Sequence, residues 1–229
     1  MRCIFCKIDT SRSRSIEHII PESLGNTNLT LPVGVVCDKC NNYFSRKVEK
    51  PFLESKSILA LRFHQELVSK KGRVPVAVGQ LDNGMQLTLS RDSETGISYG
   101  ILSAEVFDHV NNHGVNNITL PYYSLPNGDT TSSRFVAKVG YEAMALRLVR
   151  DKKLLNGLID DQNLDAIRKY VRRDPNIEWP IFVRQIYDVS QKWKTGDYES
   201  GQIVHESDFL KLTKMSSILF CAYLELSSA

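Results

Sequence analysis

Two Cys-x-x-Cys pairs, Cys3/Cys6 and Cys37/Cys40, limit the folding of this chain more than any other feature. Zinc takes four tetrahedral ligands, and each Cys-x-x-Cys turn offers two thiolates at about 2.3 Å from the ion. Two such turns close a site with no open position and pin the ends of a segment too short to build a core alone. A closed centre of this kind is a staple, so any chemistry must come from other residues. The N-terminus Met1-Arg2-Cys3-Ile4-Phe5-Cys6 has no secretory pattern. No run approaches the ~18 apolar residues of a membrane span. A cytoplasmic setting is expected, where paired cysteines hold metal rather than disulfides. Cys221, in an apolar run, reads as a small core residue.

Between the pairs lies Glu17-His18-Ile19-Ile20, an extended piece ended by Pro21. Successive side chains on a strand point to opposite faces, so Glu17 and His18 address two different objects. A carboxylate suits Mg²⁺ or Mn²⁺, and a neutral imidazole suits deprotonating water near neutral pH. On its own the dipeptide identifies nothing, because most such histidines are surface or satisfied core residues. Directly after the last cysteine come Asn41 and Asn42, at the start of a helical pattern carrying Tyr43, Phe44 and Val48.

Taken together, Cys-x-x-Cys, then Glu-His-Ile-Ile-Pro-Glu-Ser-Leu-Gly-Asn, then Val-Val-Cys-Asp-Lys-Cys-Asn-Asn-Tyr-Phe resemble the HNH endonuclease family, in its branch with two zinc-binding Cys pairs. The resemblance covers about residues 1–53. It implies a ββα-metal fold, with Cys3, Cys6, Cys37 and Cys40 on a structural zinc ion. Glu17 and Asn41 would hold a catalytic Mg²⁺ or Mn²⁺, and His18 would be the general base. Asn42 stands in for Asn41 if the helix register differs by one. Two positions depart from the family pattern: Pro32 where the middle Asn is usual, and Phe44 where a Lys is usual. Asn28, or Asn26, then becomes the supporting residue that orients the histidine. Arg46 and Lys47 become the phosphate contacts. The implied activity is phosphodiester hydrolysis by a DNA endonuclease or nickase, with a bacterial or phage defence or restriction role.

Charge agrees with a nucleic-acid partner but does not compel it. Residues 1–50 hold eight Lys/Arg against five Asp/Glu, so the whole net charge of +3 lies there. Four thiolates on one Zn²⁺ would subtract two charges from it.

The fold class expected is α+β: a zinc-stapled ββα-metal motif over 1–53, then a mixed α+β region over 54–229 with a possible boundary near 121–133. A helix is expected to about Lys71, followed by strands over 74–78, 85–89 and 97–106 with turns at Asp82-Asn83-Gly84 and Glu94-Thr95-Gly96. An amphipathic helix runs from Phe135 to Val149, with Phe135, Val136, Val139, Ala143, Leu146 and Val149 facing inward. Arg134, Lys138, Arg147, Arg150, Lys152 and Lys153 flank it and could line a DNA path, although a solvated helix face is the commoner reading of such residues. A shorter helix lies around 164–171, and apolar strands at 181–189 and 217–226. His64, His109, His113 and His205 lack ligand spacing. Trp179, Trp193 and Tyr187 read as core aromatics before base-stacking ones. Residues 54–229 supply target choice, a partner surface or a homodimer scaffold. The competing readings are a non-catalytic zinc-finger nucleic-acid-binding protein and an interaction subunit of a larger system.

Overall fold

The computed structural model describes residues 1–69, 71–92, 94–114, 117–119, 129–173 and 179, and the backbone of 193–195 and 198–200. The N-terminal turn closes through the Arg2↔Asp9 bridge. Strand β1 (Glu17–His18) pairs antiparallel with β2 (Thr30–Leu31), with Glu17 opposite Leu31 and His18 opposite Thr30. The extended piece expected over 31–36 is therefore shorter: it turns at once, with Gly34 at φ +90°.

Helix α1 (Asp38–Phe44) begins on Cys37, whose sulfur accepts the Cys40 N–H. It runs unbroken through a π-helical stretch, Ser45–Glu49, into α2 (Lys50–Leu53). In the wider ladder the Lys50 N–H reaches the Ser45 carbonyl. Pro51 follows immediately, and its nitrogen has no hydrogen to give, so the register change spares the helix a missing bond. After a break at Glu54–Ser55, α3 (Lys56–His64) ends earlier than the apolar spacing predicts.

Strands β3 (Ala77–Leu81), β4 (Gln86–Arg91), β5 (Ser98–Ile101) and β6 (Ile118–Thr119) form one antiparallel sheet in the order β5-β4-β3-β6. Both expected hairpin turns join its strands. The strand expected to reach Val106 stops at Ile101. Ser103 caps a helix there, α4 (Ala104–His113), by accepting the Val106 N–H. Helix α5 (Thr130–Leu148) is capped by Asp129. Helix α6 (Lys152–Asp160), which the apolar pattern does not reveal, is capped by Asp151. Helix α7 (Asp165–Arg172) follows. Strands β7 (Trp193–Thr195) and β8 (Tyr198–Ser200) pair antiparallel. The expected strands over 181–189 and 217–226, with Tyr187, His205 and Cys221, lie outside the described residues. No helix among those described is long and apolar enough to cross a membrane.

Packing joins the beginning of the chain to its later helices. Phe5, Phe44 and Phe52 share one apolar cluster with Phe135, Tyr141, Ile167 and Tyr170, so this cluster runs across residue 53. Phe52 stacks on Phe135 with ring centres 3.9 Å apart. A smaller cluster under the sheet holds Phe63, Val74, Ala77, Leu87 and Val106.

The inward face of α5 differs from the expected one. Its buried residues include Arg134, Phe135, Lys138, Tyr141, Glu142 and Ala145, while Val136, Val139, Ala143 and Leu146 are only partly covered. Lys138 and Glu142 pair with each other inside the protein. Hydropathy scores each of them as a solvated charge and so misplaces the face. Trp179 packs beside Tyr170 at 5.4 Å, as an interior aromatic would.

Candidate functional site

The four cysteines come together as their spacing demands. The Lys7 N–H bonds back to the Cys3 carbonyl at 2.9 Å, with Lys7 at φ +62°, which closes the first turn. The second turn is the first turn of α1. The sulfur atoms of Cys3, Cys6, Cys37 and Cys40 all lie within 4.8 Å of one another, and Cys6 Sγ is 3.5 Å from Cys37 Sγ. A tetrahedron with 2.3 Å zinc–sulfur bonds has edges of about 3.8 Å, so the donor set fits Zn²⁺. Backbone N–H groups also point at sulfur: Cys37 N to Cys3 Sγ and Cys40 N to Cys37 Sγ, each at 3.4 Å. The Cys40 thiol, with the backbone amides of Cys6, Cys37 and Phe5, pulls Cys3 down to about 5. Burial pushes Cys6 up to about 11, and Cys40, facing the Cys3 sulfur, is pushed up as well. Sulfurs this close cannot all ionise unless a cation lies among them. Among the described residues this is the one group of three or more His, Cys, Asp or Glu side chains close enough to share an ion.

The loop between the cysteine pairs is fixed by two residues. Asp38 Oδ1 accepts the N–H groups of Arg14 at 3.0 Å and Ser15 at 2.9 Å, and the Ser15 hydroxyl as well. That hydroxyl and the two amides hold its carboxyl below the usual range. Asn26 is buried and makes four bonds. Its Nδ2 donates to the Ile20 and Leu29 carbonyls (2.6 and 3.1 Å), and its Oδ1 accepts from Asn28 and Leu29 N–H (3.1 and 2.8 Å). It thereby ties the end of β1 to the start of β2. The Asn28 side chain is exposed, and this residue joins the network through its backbone. The sequence named Asn26 as one alternative but offered no reason to prefer it. Asp38 was not singled out at all, although an acidic residue opening a helix is a visible signal.

Alternation on β1 turns Glu17 and His18 to opposite sides. The His18 side chain is 26% exposed, with Nε2 3.3 Å from Glu22 Oε1, while Nδ1 is buried without a hydrogen-bond partner. Asn41 lies against the same strand, its Nδ2 donating to the Ile16 carbonyl at 3.1 Å. Asn42 is exposed, and its carbonyl accepts from Arg46 Nε at 3.3 Å. Arg46 and Lys47 are exposed one turn further on.

Glu17 points inward and is 4% exposed. Its Oε1 is 2.7 Å from Lys138 Nζ. The same ammonium, fully buried, also meets Glu49 and Glu142, each at 2.9 Å, and donates to the His18 carbonyl at 3.2 Å. Burial raises the Glu17 carboxyl despite the pull of Lys138, and raises Glu142 well above its ordinary value. Burial by itself would lower Lys138, but the three carboxylates outweigh it and raise it. One oxygen of Glu17, Oε2, and one of Glu142, Oε1, have no hydrogen-bond partner. Glu17 Oε2 and Asn41 Oδ1 are the oxygens that these two residues could offer a divalent ion. Both are hard oxygen donors of the kind Mg²⁺ and Mn²⁺ take. Lys138, read from sequence as a solvated residue, is instead the hub joining α5 to β1.

Residues 3–57 match a family model described as HNH endonuclease. No curated protein and no solved structure gives a significant match to the chain.

Proposed function

We propose, from the match of residues 3–57 to the HNH endonuclease family model, that the protein is a metal-dependent DNA endonuclease or nickase. What supports this reading is the family match over residues 3–57, within which Glu17, His18 and Asn41 stand at the family's motif positions in the sequence, together with the four-sulfur cluster that fits zinc. His18 is the general base. Its Nδ1 is buried, so the ring edge that water reaches carries Nε2. That nitrogen takes a proton from water, which attacks phosphorus in line. Glu22, beside Nε2, steadies the imidazolium that results. Glu17 and Asn41 are the residues that would hold the divalent ion, which when bound supplies positive charge at the departing 3′ oxygen. Arg46 and Lys47 contact flanking phosphates. Residues 1–53 form the catalytic unit, and α5–α7 buttress it through the shared core. One such centre cuts one strand, so cleaving a duplex through takes a dimer or two nicks. A place in defence or restriction rests on the resemblance alone.

The inward turn of Glu17 onto Lys138 favours a second reading, a zinc-stapled nucleic-acid-binding module without hydrolysis. Supercoiled plasmid incubated with the protein and Mg²⁺ or Mn²⁺ separates the two. The nuclease reading expects nicked circles from the native chain. It expects none from His18→Ala, with zinc content and unfolding midpoint unchanged. DNA binding without nicking under either ion would favour the second reading.

A further inference from the structure

The first turn of α5 faces the helical stretch that follows the cysteines across an open pocket of about 310 Å³. Its lining is Lys47, Val48, Pro51, Thr130, Thr131 and Arg134. Arg134 is 8% exposed. Its guanidinium donates to the Tyr43 hydroxyl at 2.9 Å and the Val171 carbonyl at 2.8 Å, but reaches the Lys47 carbonyl only at 3.5 Å. Its Nε has no acceptor. Among the described residues no carboxylate pairs with it. Arginine does not shed its proton in proteins, so this buried charge cannot be relieved by titration, and neutral dipoles compensate it only in part.

The other walls add to the same sign. The 19-residue α5 starts here, and the first amides of a helix have no partner inside it. Asp129 answers the Ser132 N–H, not those of Thr130 and Thr131. The positive end of the helix dipole faces the same space. Lys47, at the rim, brings a second full charge. A group with several acceptor oxygens and negative charge satisfies all three at once, and phosphate does so better than a two-oxygen carboxylate.

Resting on the nuclease reading, we propose that this pocket holds a backbone phosphate of the nucleic-acid strand, with Arg134 a phosphate-binding residue outside the HNH segment. Lys138 lies one turn further along α5, about 6 Å of rise, and donates to the His18 carbonyl. One helix thus joins the bound phosphate to the strand that carries the general base.

The test is binding of a fluorescent DNA duplex, followed by anisotropy across a salt series, without added divalent cation, in the His18→Ala background. Thr131→Glu places a carboxylate in the pocket, and an acid in the first helical turn supports folding. It should weaken binding about tenfold near 0.1 M salt and flatten the log–log salt slope by about 0.9, one phosphate contact. Arg134→Gln should do the same. Gln86→Glu, the same charge change on exposed β4, should leave the slope unaltered. Unchanged affinity and slope in Thr131→Glu would overturn the proposal. So would inorganic phosphate raising the unfolding midpoint while duplex shows no affinity, which marks a small-anion site only. Thr131-sensitive binding, with no nicking of supercoiled plasmid by the chain that keeps His18 under Mg²⁺ or Mn²⁺, supports the pocket while removing the nuclease reading.

Discussion

Replacing Lys138 by Met keeps the length of the side chain and removes the one cation that three carboxylates share. Lys138 is fully buried, as is Glu142, and Glu17 nearly so. Taking one partner from a buried ion pair costs about 3–5 kcal/mol, because the remaining charge stays in the interior. For a chain of this size that lowers the thermal midpoint by roughly 6–20 °C. The His18 carbonyl would lose its donor as well.

The sign of the pH dependence follows from Glu142 and Glu17, whose folded pKa values lie above the ordinary 4.5. Such carboxyls take up protons on folding, so stability falls as pH climbs from about 4.5 through the folded value. Without Lys138 that window extends upward. The deficit of Lys138→Met should be largest near about pH 8 and shrink toward about pH 5 as the carboxyls become neutral. Adding Glu142→Leu should recover part of the loss, with a coupling of about 1–3 kcal/mol. Calorimetry of the four variants in the cycle at both pH values checks this. A Lys138→Met midpoint within about 1 kcal/mol of native at about pH 8 would refute the reasoning, since the carboxyls would then be neutral without help.

Removing zinc, by a strong chelator or by Cys37→Ser, should unfold the N-terminal unit and release one metal per chain, read by a chromogenic zinc assay and circular dichroism. Asn26→Ala should cost about 2–4 kcal/mol in urea unfolding, because it takes the partner from the Ile20 carbonyl and from the Asn28 and Leu29 N–H groups. Asn28→Ala should stay within about 0.5 kcal/mol of native.

What could be read in advance divides by the range over which the physics acts. The turns that gather the cysteines and the β1 alternation depend on residues a few positions apart, so spacing alone exposes them. The hairpin turns at Asp82-Asn83-Gly84 and Glu94-Thr95-Gly96 are local in the same way. Lys138 and Arg134 were misread because their partners, Glu17, Glu49, Tyr43 and Val171, come from other elements. Nothing near them in the chain signals that their charges are buried. The strand expected to continue past Leu102 gave way to α4 because the Ser103 cap outweighs two apolar residues. Neither Asn26 nor Asn28 carries a local mark of which one organises the loop, since both sit in the same polar turn.

The Ile4 carbonyl, inside the first cysteine turn, accepts hydrogen bonds from the Tyr141 hydroxyl and from Arg168 Nε. These donors stand 137 and 164 residues downstream. At about 5–20 residues per second of synthesis, the ribosome takes on the order of ten to thirty seconds to reach them. Through that interval the nascent cysteine turn lacks its clamps, so its unit is completed only after α7 has been made. Removing α5–α7, with Tyr141 and Arg168, should therefore damage residues 1–50 as surely as mutating them.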